Sequence, residues 1–278
     1  MNHLLMIEEE IILFKKSIEA FAKKEIEDNY MQWEEEGTLP RILWNKLGET
    51  GFLCVDIPEQ YGGLGAPFHF ASSIVEEFSR LGYSSIAINL SVHSNIVAHY
   101  ILNAGSEEQK SYYLPRMATG ELVGAIAMTE PGAGSDLQGI KTTAVKDDLT
   151  DDYILSGSKT FITNGQSFDF VIVAAKTNQT VPVSKGISLF IVDDFYEGVI
   201  KGKKLKKIGL HSADTSEIYF EDVTVPTVKL LGEADHGFIT LMKELPQERT
   251  ILAVAAIGAM EGALQWTVQY IKEREAFG

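Results

Sequence analysis

Cysteine is almost absent from this sequence of 278 residues, which contains Cys54 alone. One cysteine cannot form an intrachain disulfide or a cysteine-rich metal site, so both are excluded. No basic partner lies near Cys54 in the sequence, and we expect a buried small side chain rather than a reactive thiol. The six histidines lack the spacing of metal ligands, so we expect no metal site, and His93 and His99 are expected at the surface or the edge of the core.

Positive charge is also scarce, since 24 lysines and arginines stand against 39 aspartates and glutamates, a formal net charge of −15. An acidic protein of this kind lacks the clustered cations that bind nucleic acid or an anionic membrane surface. We therefore expect neither as a partner, although a few local cations suffice for a small anionic ligand. The one basic run, between Lys201 and Lys207, is expected to be a solvated loop.

Long apolar runs are lacking too, and none approaches the roughly 18–20 residues that a membrane helix needs. The first residues are too few for the apolar part of a signal peptide and run directly into Glu8, Glu9 and Glu10. We therefore predict a cytoplasmic protein. Hydrophobic residues make up 45% and charged residues 23%, the usual balance of globular domains, which excludes an intrinsically disordered chain.

The hydrophobic pattern changes twice along the chain and predicts three domains, at residues 1–119, 120–232 and 233–278. The first is expected to be an N-terminal helical bundle and the last the start of a C-terminal helical bundle. The middle zone contains short strands without long helices between them, which predicts an antiparallel β sandwich or barrel. The predicted fold class is therefore α+β, in a multidomain chain.

Apolar residues at helical spacing define the first zone. The series begins with Ile7, Ile11, Phe14, Ile18, Phe21 and Ile26. Pro40 in a first turn predicts a further helix over 41–51, and the periodicity predicts another over 84–102. Ser106 followed by Gln109 predicts a capping box at the start of the next helix.

The middle zone contains runs rich in β-branched and aromatic residues, separated by Gly, Asn, Asp and Pro. The predicted strands are 122–128, 152–156, 160–163, 168–174, 187–192 and 217–220.

A long helix is predicted in the last zone, with Pro246 in its first turn. Its predicted apolar stripe consists of Leu252, Ala255, Ala256, Ala259, Ala263, Trp266 and Tyr270. Gly258 and Gly262 keep part of the helix surface small, so that another helix can approach closely. This apolar stripe is expected to pack against other apolar residues, either in the first zone or in another chain.

A glycine-rich turn follows the first predicted strand, where residues 127–136 read AMTEPGAGSD. It lacks the Gly-Lys-Ser/Thr end of a phosphate loop, and Leu137 occupies the last glycine position of a dinucleotide fingerprint. The missing fingerprint counts against a nicotinamide-dependent dehydrogenase. Gly132 and Gly134 leave the backbone free to approach a ligand closely, although an ordinary polar turn has the same composition.

Three further segments are informative when they are considered together with that turn. They are TFITNG at 160–165, ELPQER at 244–249 and KEREAFG at 272–278. In this order, and over essentially the whole chain, the four segments resemble the acyl-CoA dehydrogenase family. LPQER and the stretch SKGIS at 184–188 are most similar to the long-chain acyl-CoA dehydrogenase branch. The combination is specific, whereas no single segment is.

The resemblance implies a flavoprotein oxidoreductase of fatty acid β-oxidation, with FAD between the β domain and the C-terminal helices. The residues implied to bind FAD are Ile126, Met128, Thr129, Gly134, Ser135, Phe161, Ile162 and Thr163. Arg274 is implied to reach the FAD pyrophosphate of a neighbouring subunit, a contact that suits its planar, charged group. From the residues alone, a solvated charge near a helix C-terminus is the simpler interpretation of Arg274.

The implied reaction is the α,β-dehydrogenation of an acyl-CoA thioester, in which a carboxylate removes the α-proton and the β-carbon passes a hydride to flavin N5. In the long-chain and isovaleryl-CoA branches the base directly precedes an arginine, and Glu248 before Arg249 matches this position. The residues themselves place Glu248 in the first turn of a helix, where burial would raise its pKa. A surface glutamate is the alternative from the residues alone.

For CoA the resemblance points to two short segments and one serine of the glycine-rich turn. These residues are Ser135, Ser184, Lys185, Pro246, Gln247 and Arg249. The resemblance also implies an electron-transfer flavoprotein as acceptor and a homo-oligomer, either a dimer or a tetramer. An acyl-CoA oxidase on the same fold, which passes electrons to O₂, is an alternative that the sequence does not separate from a dehydrogenase.

Members of the family continue through further long helices after the position of Phe277 and Gly278. The resemblance therefore implies that this chain is a fragment or truncated product, or that a partner chain supplies the rest. A truncated, flavin-free interaction module is accordingly a further alternative to an enzyme. We expect the apolar stripe of the last helix to promote association.

Overall fold

The structure is a computed structural model that describes residues 2–277, with side chains from residue 9 onward. The helices of the N-terminal domain are α1 (Asn2–Glu25), α2 (Tyr30–Glu36), α3 (Arg41–Glu49), α4 (Phe68–Arg80), α5 (Ser84–Leu90), α6 (Ala98–Ala104) and α7 (Glu107–Ala118). A π-helical segment, Ser91–Val97, joins α5 to α6, so the helix predicted over 84–102 is one continuous helical run. The predicted apolar position Ile7 lies outside the described side chains.

Local signals account for two of these helix starts. Ser106 caps α7 by accepting from the Gln109 N–H, and the Gln109 side chain accepts from the Ser106 N–H, which confirms the predicted capping box. Pro40 is the N-cap of α3 rather than a first-turn residue, one position earlier than predicted. In either position the missing proline N–H removes no helical hydrogen bond.

The middle domain is an eight-stranded sheet in the described part of the chain. Its strands are β1 (Gly124–Ala127), β2 (Thr143–Lys146), β3 (Tyr153–Ile162), β4 (Phe170–Lys176), β5 (Ile187–Asp193), β6 (Val199–Lys204), β7 (Ser216–Val225) and β8 (Leu230–Leu231). Their order is β6-β7-β3-β2-β4-β5-β8, with β1 paired to β4. The predicted β domain is confirmed, and its pairings are antiparallel except that β1 and β2 each run parallel to β4.

Two details of the strand prediction are wrong. The runs at 152–156 and 160–163 are one strand, β3, whose register with β7 shifts between Leu155 and Gly157. The sequence predicts none of β2, β6 and β8. β6 is a lysine-rich edge strand, and lysines protect a sheet edge against further pairing without producing a hydrophobic signal.

Hydrophobic clusters join the helical domain to the sheet. One cluster packs α6 and α7 against β4 and β5, with Met117 and Ile172 among its fully buried members. A second lies within the helical domain around Trp44 and Phe78 and includes Ile251 of the last helix. The helical domain therefore packs against both the sheet and the last helix.

The last helix, α8, spans Gly237–Glu273, and Pro246 lies inside it. The prediction that the helix starts near Pro246 is therefore wrong. Phe238 and Leu241, which precede this proline, belong to the cluster between the helical domain and the sheet. Their burial stabilises the first turns of α8 despite the helix hydrogen bond that an internal proline removes.

The buried face of α8 packs on α4 of the helical domain. A Cβ at Gly258 would lie 2.3 Å from the Glu76 carbonyl oxygen, and one at Gly262 would lie 2.1 Å from that of Arg80. The predicted close approach at these glycines is confirmed, and its partner lies in the first zone. Of the predicted apolar stripe, Ala255 is buried and Ala259 half-buried, while Leu252, Ala256, Ala263, Trp266 and Tyr270 are exposed.

By length and composition alone, α8 could cross a membrane, since an 18-residue window has a mean hydropathy of 1.5. The expectation that no segment would meet this description is therefore corrected. Core helices of soluble proteins meet the same criterion, and a single helix of this kind does not identify a membrane protein.

Candidate active site

The two segments predicted to bind the cofactor lie side by side where β1 ends. The backbone N–H of Thr160 in β3 donates to the carbonyl of Thr129, 2.9 Å away. The ammonium group of Lys159 donates to the carbonyl of Met128 at 3.1 Å. These bonds place Met128 and Thr129 next to the stretch that contains Phe161, so the structure brings together residues about 30 positions apart in the sequence.

A buried ion pair supports this turn. Lys159 Nζ and Glu130 Oε1 lie 2.8 Å apart, and the Glu130 carboxylate also accepts the backbone N–H groups of Lys141 and Thr142, at 2.6 and 3.0 Å. Burial acts to raise the pKa of Glu130, but Lys159 and these hydrogen bonds outweigh it and hold that pKa below its usual value. Burial lowers the pKa of Lys159 to about 8, against the opposing effect of Glu130.

The sequence analysis missed this pair, although Glu130 lies inside the glycine-rich turn. Lys159 could have pointed to the pair, because it is a cation at a position of β3 that faces the interior. A buried charge needs a partner of opposite sign, and the nearest candidate motif contained one.

The surface formed by these segments is open and mixes apolar with hydroxyl groups. The half-buried members are Ile126, Met128, Thr129 and Thr163, while Ile162 is buried. Phe161 is 67% exposed and has a φ of 58°, a left-handed conformation that is uncommon for a bulky residue. A Cβ at Gly134 would meet nothing within 4 Å, and Ser135 is exposed. A flat, partly apolar cofactor fits such a surface, because an exposed ring and unobstructed backbone are both available to it.

Glu248 lies buried in the middle of α8, not in a first turn as predicted. The helix dipole, which acts within the first turn, therefore contributes little to its charge. Its Oε1 accepts a hydrogen bond of 2.7 Å from the hydroxyl of Tyr100, a fully buried residue of α6. Burial raises the pKa of Glu248, and the donated hydrogen bond opposes the rise. A buried carboxylate with a raised pKa is chemically suited to accept a proton.

The helical run from α5 to α6 holds this part of α8 at two further points. Gln247 Nε2 donates to the Asn95 carbonyl at 3.0 Å, and Asn103 Nδ2 donates to Glu244 Oε1 at 3.0 Å. Asn95 belongs to the π-helical segment, and such segments are frequent at functional sites. The sequence analysis missed Tyr100, because a contact across 148 positions leaves no local signal.

Some of the residues predicted to bind CoA lie on neighbouring turns. Ser184 and Lys185 belong to the 3₁₀ turn Val183–Lys185, which precedes β5. This turn contacts both α8 and the 3₁₀ turn Leu137–Gly139, which closely follows Ser135. The structure therefore brings the glycine-rich turn, the Ser184 turn and α8 to one region.

The remaining candidates on α8 differ in their surroundings. Pro246 and Arg249 are exposed, whereas the Gln247 amide is engaged with the backbone of the π-helical segment. Arg274 is exposed at the C-terminal end of α8, whose preceding turns pack on α4. This chain does not bring Arg274 to the candidate cofactor strands, and its role at a neighbouring subunit stays a prediction.

The basic run predicted as a solvated loop forms part of β6, and its lysines make structural contacts. Lys201 Nζ donates to the Phe168 carbonyl at 2.7 Å and pairs with Asp194 Oδ2 at 2.9 Å. Lys204 Nζ donates to the Gly37 carbonyl at 2.9 Å. Lys201 and Lys204 therefore tie the sheet to its own turns and to the helical domain.

His93 is fully buried, contrary to the predicted surface or core-edge position. Its Nδ1 accepts the Gly124 N–H at 3.1 Å, which leaves the proton on Nε2, 3.1 Å from the Met117 carbonyl. Burial lowers the pKa of His93 to about 4. His99 is mostly buried beside Asp56, 3.0 Å away.

Cys54 is fully buried, and burial raises the pKa of its thiol to about 12, which confirms the predicted inert side chain. Among residues 9–277, whose side chains the structure describes, no three His, Cys, Asp or Glu side chains come close enough together to hold a metal ion.

Comparison with known protein families matches all three parts of the chain to one family. The acyl-CoA dehydrogenase N-terminal domain matches residues 8–121, the middle domain residues 125–223 and the C-terminal domain residues 235–278. These matches follow the order of helical domain, sheet and last helix in the structure.

Individual relatives agree with this assignment. A long-chain specific acyl-CoA dehydrogenase of mitochondria from Sus scrofa is 47% identical over 268 residues, which are 96% of this chain and 61% of that protein. The acyl-CoA dehydrogenase from Geobacillus kaustophilus is 48% identical with a TM-score of 0.93, covering 97% of this chain and 70% of that one. An acyl-CoA dehydrogenase complexed with FAD from Bacillus anthracis is 36% identical with a TM-score of 0.90, covering 97% and 45%. The chain spans 61% of the length of the long-chain relatives, and it belongs to the acyl-CoA dehydrogenase family.

Proposed function

We propose that this protein carries out the FAD-dependent α,β-dehydrogenation of a fatty acyl-CoA thioester, with Glu248 as the base that removes the α-proton. The observation that carries the proposal is the buried Glu248 carboxylate, whose pKa is raised by burial. Such a carboxylate is a stronger proton acceptor than an exposed one. Similarity to the long-chain relatives supports a fatty acid as the source of the substrate's acyl group.

The open surface at the end of β1 supports FAD as the cofactor. When bound, FAD supplies the acceptor for the hydride that leaves the β-carbon. The residues proposed to hold it are Ile126, Met128, Thr129, Gly134, Ser135, Phe161, Ile162 and Thr163, with Arg274 assigned to a neighbouring subunit. The buried Lys159–Glu130 pair fixes the backbone of this turn, which keeps the Thr129 hydroxyl in place. The FAD complex of the Bacillus anthracis relative supports FAD as the cofactor.

The turns near Ser135 and Ser184 support a CoA site beside α8. Lys185 and Arg249 are exposed cations in a chain whose net charge is −15, and they suit the phosphates of CoA. Pro246 is exposed on the same helix, whereas the Gln247 amide is already engaged and would serve by position rather than by direct contact. We further propose an electron-transfer flavoprotein as the electron acceptor and a homo-oligomer, dimer or tetramer, as the active assembly.

The substitution Glu248→Gln tests the proposal. Reconstituted with FAD, the wild-type chain should show a visible flavin band that bleaches when a long-chain acyl-CoA is added without oxygen. Glu248→Gln should bind the acyl-CoA with little change but bleach at least about 100-fold more slowly, because a general base contributes about 10²–10⁴-fold to rate. Stopped-flow absorbance measures both rates.

Glu261→Gln, at an exposed position farther along α8, is the matched control and should bleach at nearly the wild-type rate. Equal rates in wild type and Glu248→Gln would show that the base lies elsewhere. A wild-type chain that takes up FAD and acyl-CoA without bleaching would contradict the activity itself.

A further inference from the structure

Tyr100 makes a contact that the proposed function does not use. It is fully buried in α6, and its hydroxyl donates to Glu248 Oε1 at 2.7 Å. Burial, together with the Glu248 charge, raises the pKa of Tyr100 above its usual value, so the phenol keeps its proton at neutral pH. Tyr100 is therefore a permanent hydrogen-bond donor to this carboxylate.

A carboxylate has two oxygens, and a donor held by one of them restricts the rotation of the whole group. Tyr100 is the donor to Glu248 among the hydrogen bonds of the described residues, and it approaches Oε1. We propose that Tyr100 is the positioning residue of Glu248: its hydroxyl holds Oε1 and leaves Oε2 as the oxygen that receives the substrate's α-proton. This inference rests on the proposed function, which makes Glu248 the base.

The arrangement has a second consequence for the charge of Glu248. Burial and the neighbouring Glu244 both favour the protonated acid, whereas the Tyr100 hydrogen bond and, more weakly, Arg249 favour the carboxylate. An unpartnered buried carboxylate would take up a proton at a higher pH and could then no longer act as a base. Tyr100 therefore favours the ionised form of the base as well as orienting it.

Other titratable groups near this part of α8 do not offer the same contact. On the helical run of Tyr100, His93 is bonded to backbone groups and His99 pairs with Asp56. On α4, the backbone of Glu76 and Arg80 lies against α8 at Gly258 and Gly262, at least ten residues, or about 15 Å along the helix, beyond Glu248. The Glu76 carboxylate pairs with Lys15, and the Arg80 guanidinium pairs with carboxylates of α1 and α4.

Three remaining groups on neighbouring elements are also accounted for. Glu77 of α4 is engaged with Arg80, and Asp193 of β5 is held by Tyr113 and Lys229. Lys185, on the turn that contacts α8, is exposed to solvent.

The test is a direct titration of the Glu248 carboxyl carbon by NMR, in the full chain labelled with ¹³C at the glutamate carboxyl position. Glu248→Gln identifies the resonance by its loss. In Tyr100→Phe we expect the pKa of Glu248 to rise by about 1 to 2, because a hydrogen bond to a charged group is removed from a buried site. Tyr100→Phe keeps the ring in the core and removes the hydroxyl alone.

Tyr113→Phe is the matched control. Tyr113 is also buried, and its hydroxyl donates to another carboxylate, Asp193 Oδ1, at 3.0 Å. This variant should leave the pKa of Glu248 unchanged. An unchanged pKa of Glu248 in Tyr100→Phe would overturn the proposal, and so would an equal rise in Tyr113→Phe, since the rise would then reflect general loosening of the core.

A second measurement needs no change at Tyr100. In the wild-type chain labelled with ¹³C at the tyrosine ζ carbon, the Tyr100 resonance should move with pH at the midpoint found for Glu248, and this movement should vanish in Glu248→Gln. If the chemical shift of Tyr100 did not change at the pH where Glu248 titrates, the hydrogen bond between the two residues would be contradicted. Both measurements read the free chain, so they fail independently of the bleaching test, which asks whether Glu248 is the base at all.

Discussion

His93, a single fully buried residue, couples the stability of the folded chain to pH. Its Nδ1 accepts the Gly124 N–H, so a proton on this nitrogen would break a hydrogen bond inside the core. Burial lowers the pKa of His93 from 6.5 to about 4, and between these values the unfolded chain binds more protons than the folded chain. The free energy of unfolding therefore falls as the pH drops through this window, and the contribution is complete above it.

His93→Gln, which stays neutral, should remove this part of the pH dependence. Between about pH 7 and about pH 4.5 we expect the free energy of unfolding to fall by about 2 kcal/mol more in the wild type than in the variant. Urea unfolding at the two pH values measures both falls. His211→Gln, at an exposed position, should behave as the wild type does. Equal falls in wild type and His93→Gln would mean that His93 is not held neutral by burial.

At the scale of the element, the position of α8 depends on two glycines that lie against the backbone of α4. A Cβ at Gly262 would lie 2.1 Å from the Arg80 carbonyl oxygen, closer than non-bonded carbon and oxygen atoms can approach. Gly262→Ala should therefore lower the free energy of unfolding by about 1–3 kcal/mol through overpacking. Helix propensity alone predicts the opposite sign, a gain of about 1 kcal/mol for alanine. Thermal and urea unfolding give the sign.

Gly209→Ala is the matched control for that substitution. A Cβ at Gly209 would meet nothing within 4 Å, so the same chemical change should alter the free energy of unfolding by about 0.5 kcal/mol or less. Stabilisation by Gly262→Ala would show that α8 does not pack this closely on α4.

At the scale of the whole molecule, α8 exposes large apolar side chains along its outer face. They include Leu252, Ile257, Met260, Leu264 and Ile271. Contiguous apolar surface of this kind promotes association, whereas a net charge of −15 opposes it. We therefore expect the chain to self-associate reversibly, and more strongly at high salt, which screens the charge. Sedimentation velocity over a range of concentrations measures the association.

The double substitution Met260→Lys with Leu264→Lys should weaken this association at least about tenfold, since burying each side chain contributes about 1.5–3 kcal/mol. Val228→Lys with Leu149→Lys adds the same two charges at residues that are 77% and 95% exposed outside α8, and it should not weaken the association. Loss of association in this control as well would show that the association does not depend on the face of α8.

Predictions based on residues close together in the sequence succeeded where tertiary packing did not oppose the local preference. The capping box of Ser106 and Gln109 formed as predicted, because both bonds join residues three positions apart. Predictions failed where packing overruled the local signal. Pro246 marked a helix start by composition, but burial of residues before it extended α8 toward the N-terminus. Lys201 belonged to an apparently solvated run, yet its cation satisfies carbonyl and carboxylate groups of the sheet.

The sequence by itself determined the order of helical and β domains, because hydrophobic periodicity is local, and the combination of four segments gave the resemblance to the family, which implies Glu248 as the candidate base. Only the tertiary structure decided that Glu248 is buried and that Tyr100, 148 positions away, donates to it. The same holds for the ion pair of Lys159 with Glu130 beneath the candidate cofactor turn. Burial and hydrogen-bond partners arise when distant elements pack together, so periodicity and motifs, which are local, carry no record of them.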